Sequence, residues 1–194
     1  MFILGITGPT GAGKTTVSKI FEKNGIKVVD GDILAREIVE VGKPALKELK
    51  EALGEEIIND DGTLNRKKTA AIAFSDSEKL ATLNRITHHY IKEEFLKIAS
   101  EYDGDILGFD GAVILESDVK YLFTKILSVI ADEDIRLKRI TSRDNITQDE
   151  GRLRISSQKN NEFYIENSDF LVYNNGEDME DQVNSIIKKL RSMI

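Results

Sequence analysis

A chain of 194 residues with 40% apolar and 31% charged side chains is long enough and apolar enough for one sizeable core and a small appended subdomain, which argues against disorder. A net charge of −7 argues against a nucleic-acid footprint over the whole surface, because neutralising phosphates takes a basic face. The absence of cysteine excludes disulfides and thiolate metal sites and is compatible with a reducing cytoplasm.

In chain order, Met1 to Ile6 is too short an apolar run, and too soon interrupted at Gly5, for a secretory leader. No later run approaches bilayer-spanning length. We therefore expect a soluble, unprocessed protein in the cytoplasm. Phe2 to Ile6 reads as a strand buried on both faces. A glycine-rich loop follows, then a helix from Thr16 with Val17, Ile20 and Phe21 on one face and Gly25 as its stop. Ile26 to Val29 reads as a second strand, which completes a strand, helix, strand unit of a parallel sheet.

From Ile33 the pattern turns helical, in "ILAREIVE", "PALKELKEAL" and "SEKLATLNRITHHYIKEEFLKIASEY", with a turn at Asn59 to Gly62. An insertion of about 65 residues exceeds an ordinary crossover and reads as a subdomain. Strands return at Ile106 to Phe109 and Ile126 to Ile130. Arg136 to Lys159 is a polar stretch with seven Lys/Arg against three Asp/Glu. Phe170 to Tyr173 is a last strand, ended by Asn174-Asn175-Gly176, and Met179 to Met193 is an amphipathic closing helix. The whole is an α/β chain with a five-stranded parallel sheet flanked by helices, a helical insertion and a basic segment placed as a lid.

Gly8-Pro9-Thr10-Gly11-Ala12-Gly13-Lys14-Thr15 satisfies G-x-x-x-x-G-K-[ST] between a strand and a helix. In such a loop, backbone N–H groups and the helix N-terminus surround phosphates, the lysine reaches the β/γ-phosphates and the Thr15 hydroxyl binds Mg²⁺. A dinucleotide site is the rival, because Asp30 and Asp32 lie where such folds keep a ribose-binding acid. However, the glycines read G-x-x-G-x-G, and Lys14-Thr15 has no role in that motif. A plain glycine-rich turn explains the glycines but neither Lys14 nor Thr15. The chain lacks a suitably placed D-x-x-G switch with N-K-x-D, and it lacks L-S-G-G-Q. A small-molecule kinase or a nucleotide-binding regulator remains.

The second strand of a parallel pair is expected to end at the same sheet edge as the loop, which brings Asp30 and Asp32 towards the γ-phosphate. A hydroxyl acceptor needs such a carboxylate to take its proton. Asp32 reads equally as the N-cap of the helix at "ILARE", and Asp30 as a turn or cap residue. Arg139 and Arg143, four apart on one helix face, are able to converge on phosphate oxygens as part of a closing lid; the alternative is a solvated helix pair. Asp110, ending the third strand, either holds a metal-bound water or caps the next segment. His88 and His89 read as surface or packing residues rather than zinc ligands.

Taken together, "GITGPTGAGKTTVSKIF", "VVDGDILAREIV", "GKPAL", "DDGTLNR", "DGAVILE", "RLKRITSRD" and "NNG" make the chain resemble the dephospho-CoA kinase family along nearly its whole length. Two departures stand out: His88-His89 replaces the family's His-Pro, and Asp110 to Glu116 keeps both acids of the family's motif but has Ala112 in place of its proline. The resemblance implies transfer of the ATP γ-phosphate to the ribose 3′-hydroxyl of dephospho-CoA. It implies Asp32, Lys14 and Arg143 as catalytic residues, with Asp32 as the catalytic acid. For ATP it implies Gly8, Gly11, Ala12, Gly13, Lys14, Thr15, Thr16, Arg139, Arg143, Asn175 and Gly176, with Asn174 to Gly176 as the loop beside the adenine; for the acceptor, Asp32, Arg36, His88 and Asp110. Mg²⁺ is implied on the Thr15 hydroxyl, with Asp32 or Asp110 acting through water. The implied domains are a nucleotide-binding core (1–32, 103–135, 163–194), an acceptor-binding domain (33–102) and a lid (136–162). ATP and dephospho-CoA are then the partners of a monomer or weak oligomer, with no nucleic acid and no membrane. A kinase for another nucleotide-like hydroxyl and a non-catalytic nucleotide-binding regulator are the alternatives.

Overall fold

The short apolar runs become a parallel sheet in a computed structural model that describes residues 1–112, 114–116, 119–176 and 178–194. Val113, part of the "DGAVILE" match, lies outside those residues. The strands are β1 (Phe2–Thr7), β2 (Lys27–Asp30), β3 (Ile106–Asp110), β4 (Lys125–Ile130) and β5 (Phe170–Tyr173), in the order β2-β3-β1-β4-β5. Ile6 of β1 is in register with Asp110 of β3 and with Leu127 of β4, while Ile130 of β4 meets Tyr173 of β5. β1 and β4 are almost wholly buried, which is why they read as unbroken apolar runs rather than alternating ones.

Helices α1 (Lys14–Lys23) and α9 (Met179–Arg191) pack on the sheet in one cluster. Val17, Ile20 and Phe21 of the first helix and Val183, Ile186, Ile187 and Leu190 of the second meet Leu4, Ile6, Leu127, Val129 and Val172. Each such large side chain contributes about 1.5–3 kcal/mol on burial. The chain leaves β1 towards β2 on one side and β4 towards β5 on the other. The carboxyl ends of β1 and β4 therefore flank the switch point, where α/β sheets bind ligands.

The chain divides into two compact units, one of Met1–Val29 with Asp103–Ile194, the other Asp30–Tyr102. In the second, α2 (Gly31–Glu37), α3 (Pro44–Leu53), α4 (Arg66–Phe74) and α5 (Ser77–Glu101) enclose Ile38, Leu46, Leu49, Leu53, Ile57 and Ile86. Pro44 at the start of α3 matches its fixed φ to the first helical position. The helix α4 is absent from the sequence reading because its buried positions are Thr69 and Ala73, which leave no apolar stripe. Asn65 starts it, accepting from Lys68 N at 3.0 Å.

In the first unit, the polar stretch after β4 folds as α6 (Glu133–Asp144) and α7 (Gln148–Ser156), joined by buried Leu137, Ile140 and Ile155. A reciprocal cap between Thr147 and Glu150 starts α7, a T-x-x-E signal visible in the sequence. A short helix, α8 (Asn161–Glu166), then leads to β5. Several boundaries also differ from the sequence reading: α1 begins at Lys14 rather than Thr16, β2 runs Lys27–Asp30 rather than Ile26 to Val29, and α9 ends at Arg191 rather than Met193. Among the described residues no helix is long and apolar enough to cross a membrane.

Candidate functional site

The site begins where β1 releases the chain. Gly8 has φ +141°, and a Cβ there would lie 2.2 Å from the Val129 carbonyl oxygen of β4, so only glycine lets the loop pass this close to the strand. Gly13, at φ +103°, ends the loop, and Thr16 N and Val17 N donate to its carbonyl at 3.0 and 3.2 Å. The N–H groups just before Thr16 have no intrahelical acceptor and sit at the positive end of the α1 dipole. Such a terminus binds anions.

Each loop carbonyl meets a donor. Lys14 Nζ donates to Gly8 O at 2.9 Å, Ala12 N to Pro9 O at 3.2 Å, Arg136 Nε to Thr10 O at 2.9 Å and Arg139 Nη1 to Gly11 O at 3.3 Å. Asn174 Nδ2 donates to Ala12 O at 2.7 Å. A buried carbonyl left unmet costs about 1–3 kcal/mol, so these donors hold the loop in one shape. Because a trans peptide points its N–H opposite to its C=O, holding the Ala12 and Gly13 carbonyls orients the N–H groups of Gly13 and Lys14 the other way.

The loop opens on a cleft of about 710 Å³ lined by Thr10, Gly11, Gly13, Lys14, Thr15, Thr16, Lys138, Arg139, Ser142 and Arg143. The cations have distinct surroundings. Arg139 bonds the loop through Nη1 and Asn174 through Nη2, at 3.1 Å to the backbone oxygen and 3.2 Å to Oδ1. Arg143 is exposed and grips Asp144 with Nε at 2.7 Å and Nη2 at 3.0 Å; Arg154 Nη1 bonds the same carboxylate. Arg143 first, with Arg154, holds the Asp144 carboxyl down at about 2. Arg136 is 3% exposed where its Nε meets the loop, and its Nη2 is buried with no hydrogen-bond partner among the described residues. Burial pulls its pKa down, with Tyr164 and Glu133 opposing.

Of the residues expected for ATP, Gly11, Gly13, Lys14, Thr15, Thr16, Arg139 and Arg143 line this one cleft, with Gly8 and Ala12 buried behind it. Asn175 and Gly176 are exposed after β5, and Asn175 Oδ1 accepts from Asp132 N at 2.8 Å, where α6 starts. Asp110 Oδ2 accepts from Ser18 Oγ at 2.9 Å, which ties the end of β3 to the second turn of α1.

In the second unit, Asp30 rather than Asp32 caps α2, accepting from Asp32 N at 2.8 Å and Ile33 N at 3.0 Å. The capping alternative for Asp32 is thereby removed; its exposed carboxylate makes no hydrogen bond among the described residues. Arg36 is exposed in the last turn of α2. His88 is half-buried on α5, while His89 places Nε2 3.5 Å from Glu93 Oε1 and its ring edge-on to Tyr90.

Among the described residues no three His, Cys, Asp or Glu come together as a metal cage. The Thr15 hydroxyl lines the cleft, and the Asp110 carboxylate is tied to the same helix one turn further on. Two oxygen donors fit a hard divalent ion that takes its other ligands from substrate phosphates and water. Sequence reading missed Arg136 and Asn174 as supports of the loop, because what they recognise is backbone carbonyl, which no residue letter records.

A sequence model of the dephospho-CoA kinase family matches residues 2–180. A dephospho-CoA kinase of Corynebacterium efficiens is 36% identical, with 100% of both chains covered. One from Listeria monocytogenes is 39% identical over 89% of this chain and 88% of its own. Among solved structures, a Thermus thermophilus protein superposes with a TM-score of 0.85 at 24% identity, covering 100% of this chain and 97% of its own. Shikimate kinase from Acinetobacter baumannii shares the fold more loosely, at a TM-score of 0.54 and 15% identity, covering 100% of this chain and 94% of its own.

The Asp144 tie between α6 and α7 has a pH signature. A carboxyl depressed from 3.8 to about 2 in the folded protein contributes stability above its unfolded pKa and loses it as pH falls through the folded one. An NMR titration of the Asp144 carboxyl is expected to give a midpoint near 2; a midpoint near 3.8 contradicts the tie.

Proposed function

The chain belongs to the dephospho-CoA kinase family, and we propose that Asp32, Lys14 and Arg143 carry its chemistry. The reaction is ATP-dependent phosphorylation of the ribose 3′-hydroxyl of dephospho-CoA, giving coenzyme A and ADP. The bond from the γ-phosphorus to the bridging oxygen of ADP breaks, a bond to the 3′-oxygen forms, and the hydroxyl proton leaves to the Asp32 carboxylate. The observation that carries the reading is a loop whose carbonyls are all engaged while its N–H groups stand at a helix terminus beside a cation-lined cleft.

In this reading the N–H groups of Gly11, Gly13, Lys14 and Thr15 hold the phosphates over the bed of Gly8 and Ala12, with Thr16 beside them in the cleft lining. Lys14 keeps its Gly8 carbonyl and gives another of its ammonium protons to a β/γ-phosphate oxygen. Arg143, exposed at the cleft, offsets charge on the transferring group, and Arg139 keeps the loop in shape beside it. Asn175 and Gly176 flank the base. Asp32, Arg36, His88 and Asp110 address the acceptor. The free carboxylate of Asp32 supports its role as base, since a capping carboxylate would already be spent on backbone N–H groups. Mg²⁺ would sit on the Thr15 hydroxyl, with Asp110 or Asp32 acting through water, and when bound it neutralises phosphate charge. We assign nucleotide binding to 1–32, 103–135 and 163–194, acceptor binding to the helical insertion 33–102, and lid closure to 136–162.

A coupled assay of ADP release over a panel of acceptors tests the reading. Turnover confined to dephospho-CoA is expected; turnover confined to another nucleotide or nucleoside contradicts it, as does ATP binding without turnover on any acceptor. Within the same assay Asp32→Asn is expected to lower kcat by about 10²–10⁴ while leaving ATP affinity nearly intact. Near-normal kcat in that variant removes Asp32 from the proton-accepting role.

A further inference from the structure

One donor to the phosphate loop binds two elements through the two ends of a single amide. Asn174 Nδ2 donates to Ala12 O at 2.7 Å, and its Oδ1 accepts from Arg139 Nη2 at 3.2 Å. The side chain is buried, and its backbone N–H donates to Ile130 O at 2.7 Å, so the residue is fixed to the sheet before it touches the loop. The amide fits in one sense only. Turned over, it would set its NH₂ against the guanidinium and its oxygen against the Ala12 carbonyl. Nor is there slack at the loop, where a Cβ on Gly13 would lie 2.2 Å from Nδ2.

We infer that Asn174 is a positioning residue for phosphoryl transfer: by holding the Ala12 carbonyl and the Arg139 guanidinium together, its side-chain amide aims the Gly13 N–H at the β/γ-phosphates. The inference rests on the reading of the loop as the ATP phosphate site. Asn174 touches no phosphate in this role. It acts through the peptide between Ala12 and Gly13, whose N–H faces away from the carbonyl that Asn174 grips. Arg139 adds a second strut, bonding Gly11 O as well as Asn174. The end of β5 is thereby coupled to the start of α1, and the geometry of the phosphate site depends on a residue distant from it in sequence.

Two substitutions separate positioning from packing. Asn174→Asp keeps the size of the side chain and an acceptor for Arg139, but turns an oxygen towards the Ala12 carbonyl. Asn174→Ala removes both contacts. Each is expected to raise KM for ATP about tenfold or more while KM for dephospho-CoA stays within about twofold. An ATP KM within about twofold of the unmodified protein in Asn174→Asp overturns the inference, as does an equal rise in both KM values. A measurement on the unmodified protein covers variants that do not fold: the Asn174 Nδ2 protons are expected to exchange slowly with solvent, and exchange at the rate of a free amide overturns the clamp. Failure of the unmodified protein to bind ATP would instead contradict the reading of the loop itself.

Discussion

The constraint on which the rest depends is the direction of a few peptide planes. A backbone that is to present N–H groups to phosphate must turn its carbonyls the other way, into protein, and each carbonyl so turned needs a donor. From Gly8 to Gly13 the chain supplies them from four places: the Lys14 side chain, backbone N–H groups of the loop and of α1, the arginines of α6, and Asn174 at the end of β5. The order β2-β3-β1-β4-β5 makes this possible, because it sets β1 beside β4, whose continuations into α6 and β5 bring those donors to the loop. The sheet thus does more than bury apolar surface: it brings together residues more than a hundred positions apart.

The arginines of α6 illustrate how one helix divides its labour. Arg136 is buried against the loop, Arg139 reaches loop carbonyls from the cleft wall, and Arg143 stands exposed on Asp144. All three carry the same charge, but burial and partners separate a structural tie to the loop from an exposed ion pair at the cleft. Arg143 pairs with Asp144 through Nε and Nη2, while its Nη1 makes no hydrogen bond among the described residues.

What the sequence made legible follows from what residue letters encode. Gly8, Gly13, Lys14 and Thr15 are legible because the loop demands those residue types at that spacing, and β1, β3 and β4 because buried parallel strands read as apolar runs. The helix α4 is invisible because Thr69 and Ala73 leave no stripe. Whether Asp30 or Asp32 caps α2 cannot be read from two acids two positions apart; the hydrogen bonds decide for Asp30. Arg136 and Asn174 are illegible for a different reason. Their targets are the backbone of Thr10 and Ala12, and a bond to backbone leaves no complementary residue to find.

The central claim is that the phosphate held by this loop leaves for the ribose 3′-hydroxyl of dephospho-CoA. The direct measurement supplies ATP carrying an isotopic label in its γ-phosphate, together with dephospho-CoA, and follows the label by phosphorus NMR. The account predicts a labelled phosphomonoester at the 3′-position of coenzyme A, formed in step with ADP. Label released as inorganic phosphate, or an ester on any other hydroxyl, would contradict it.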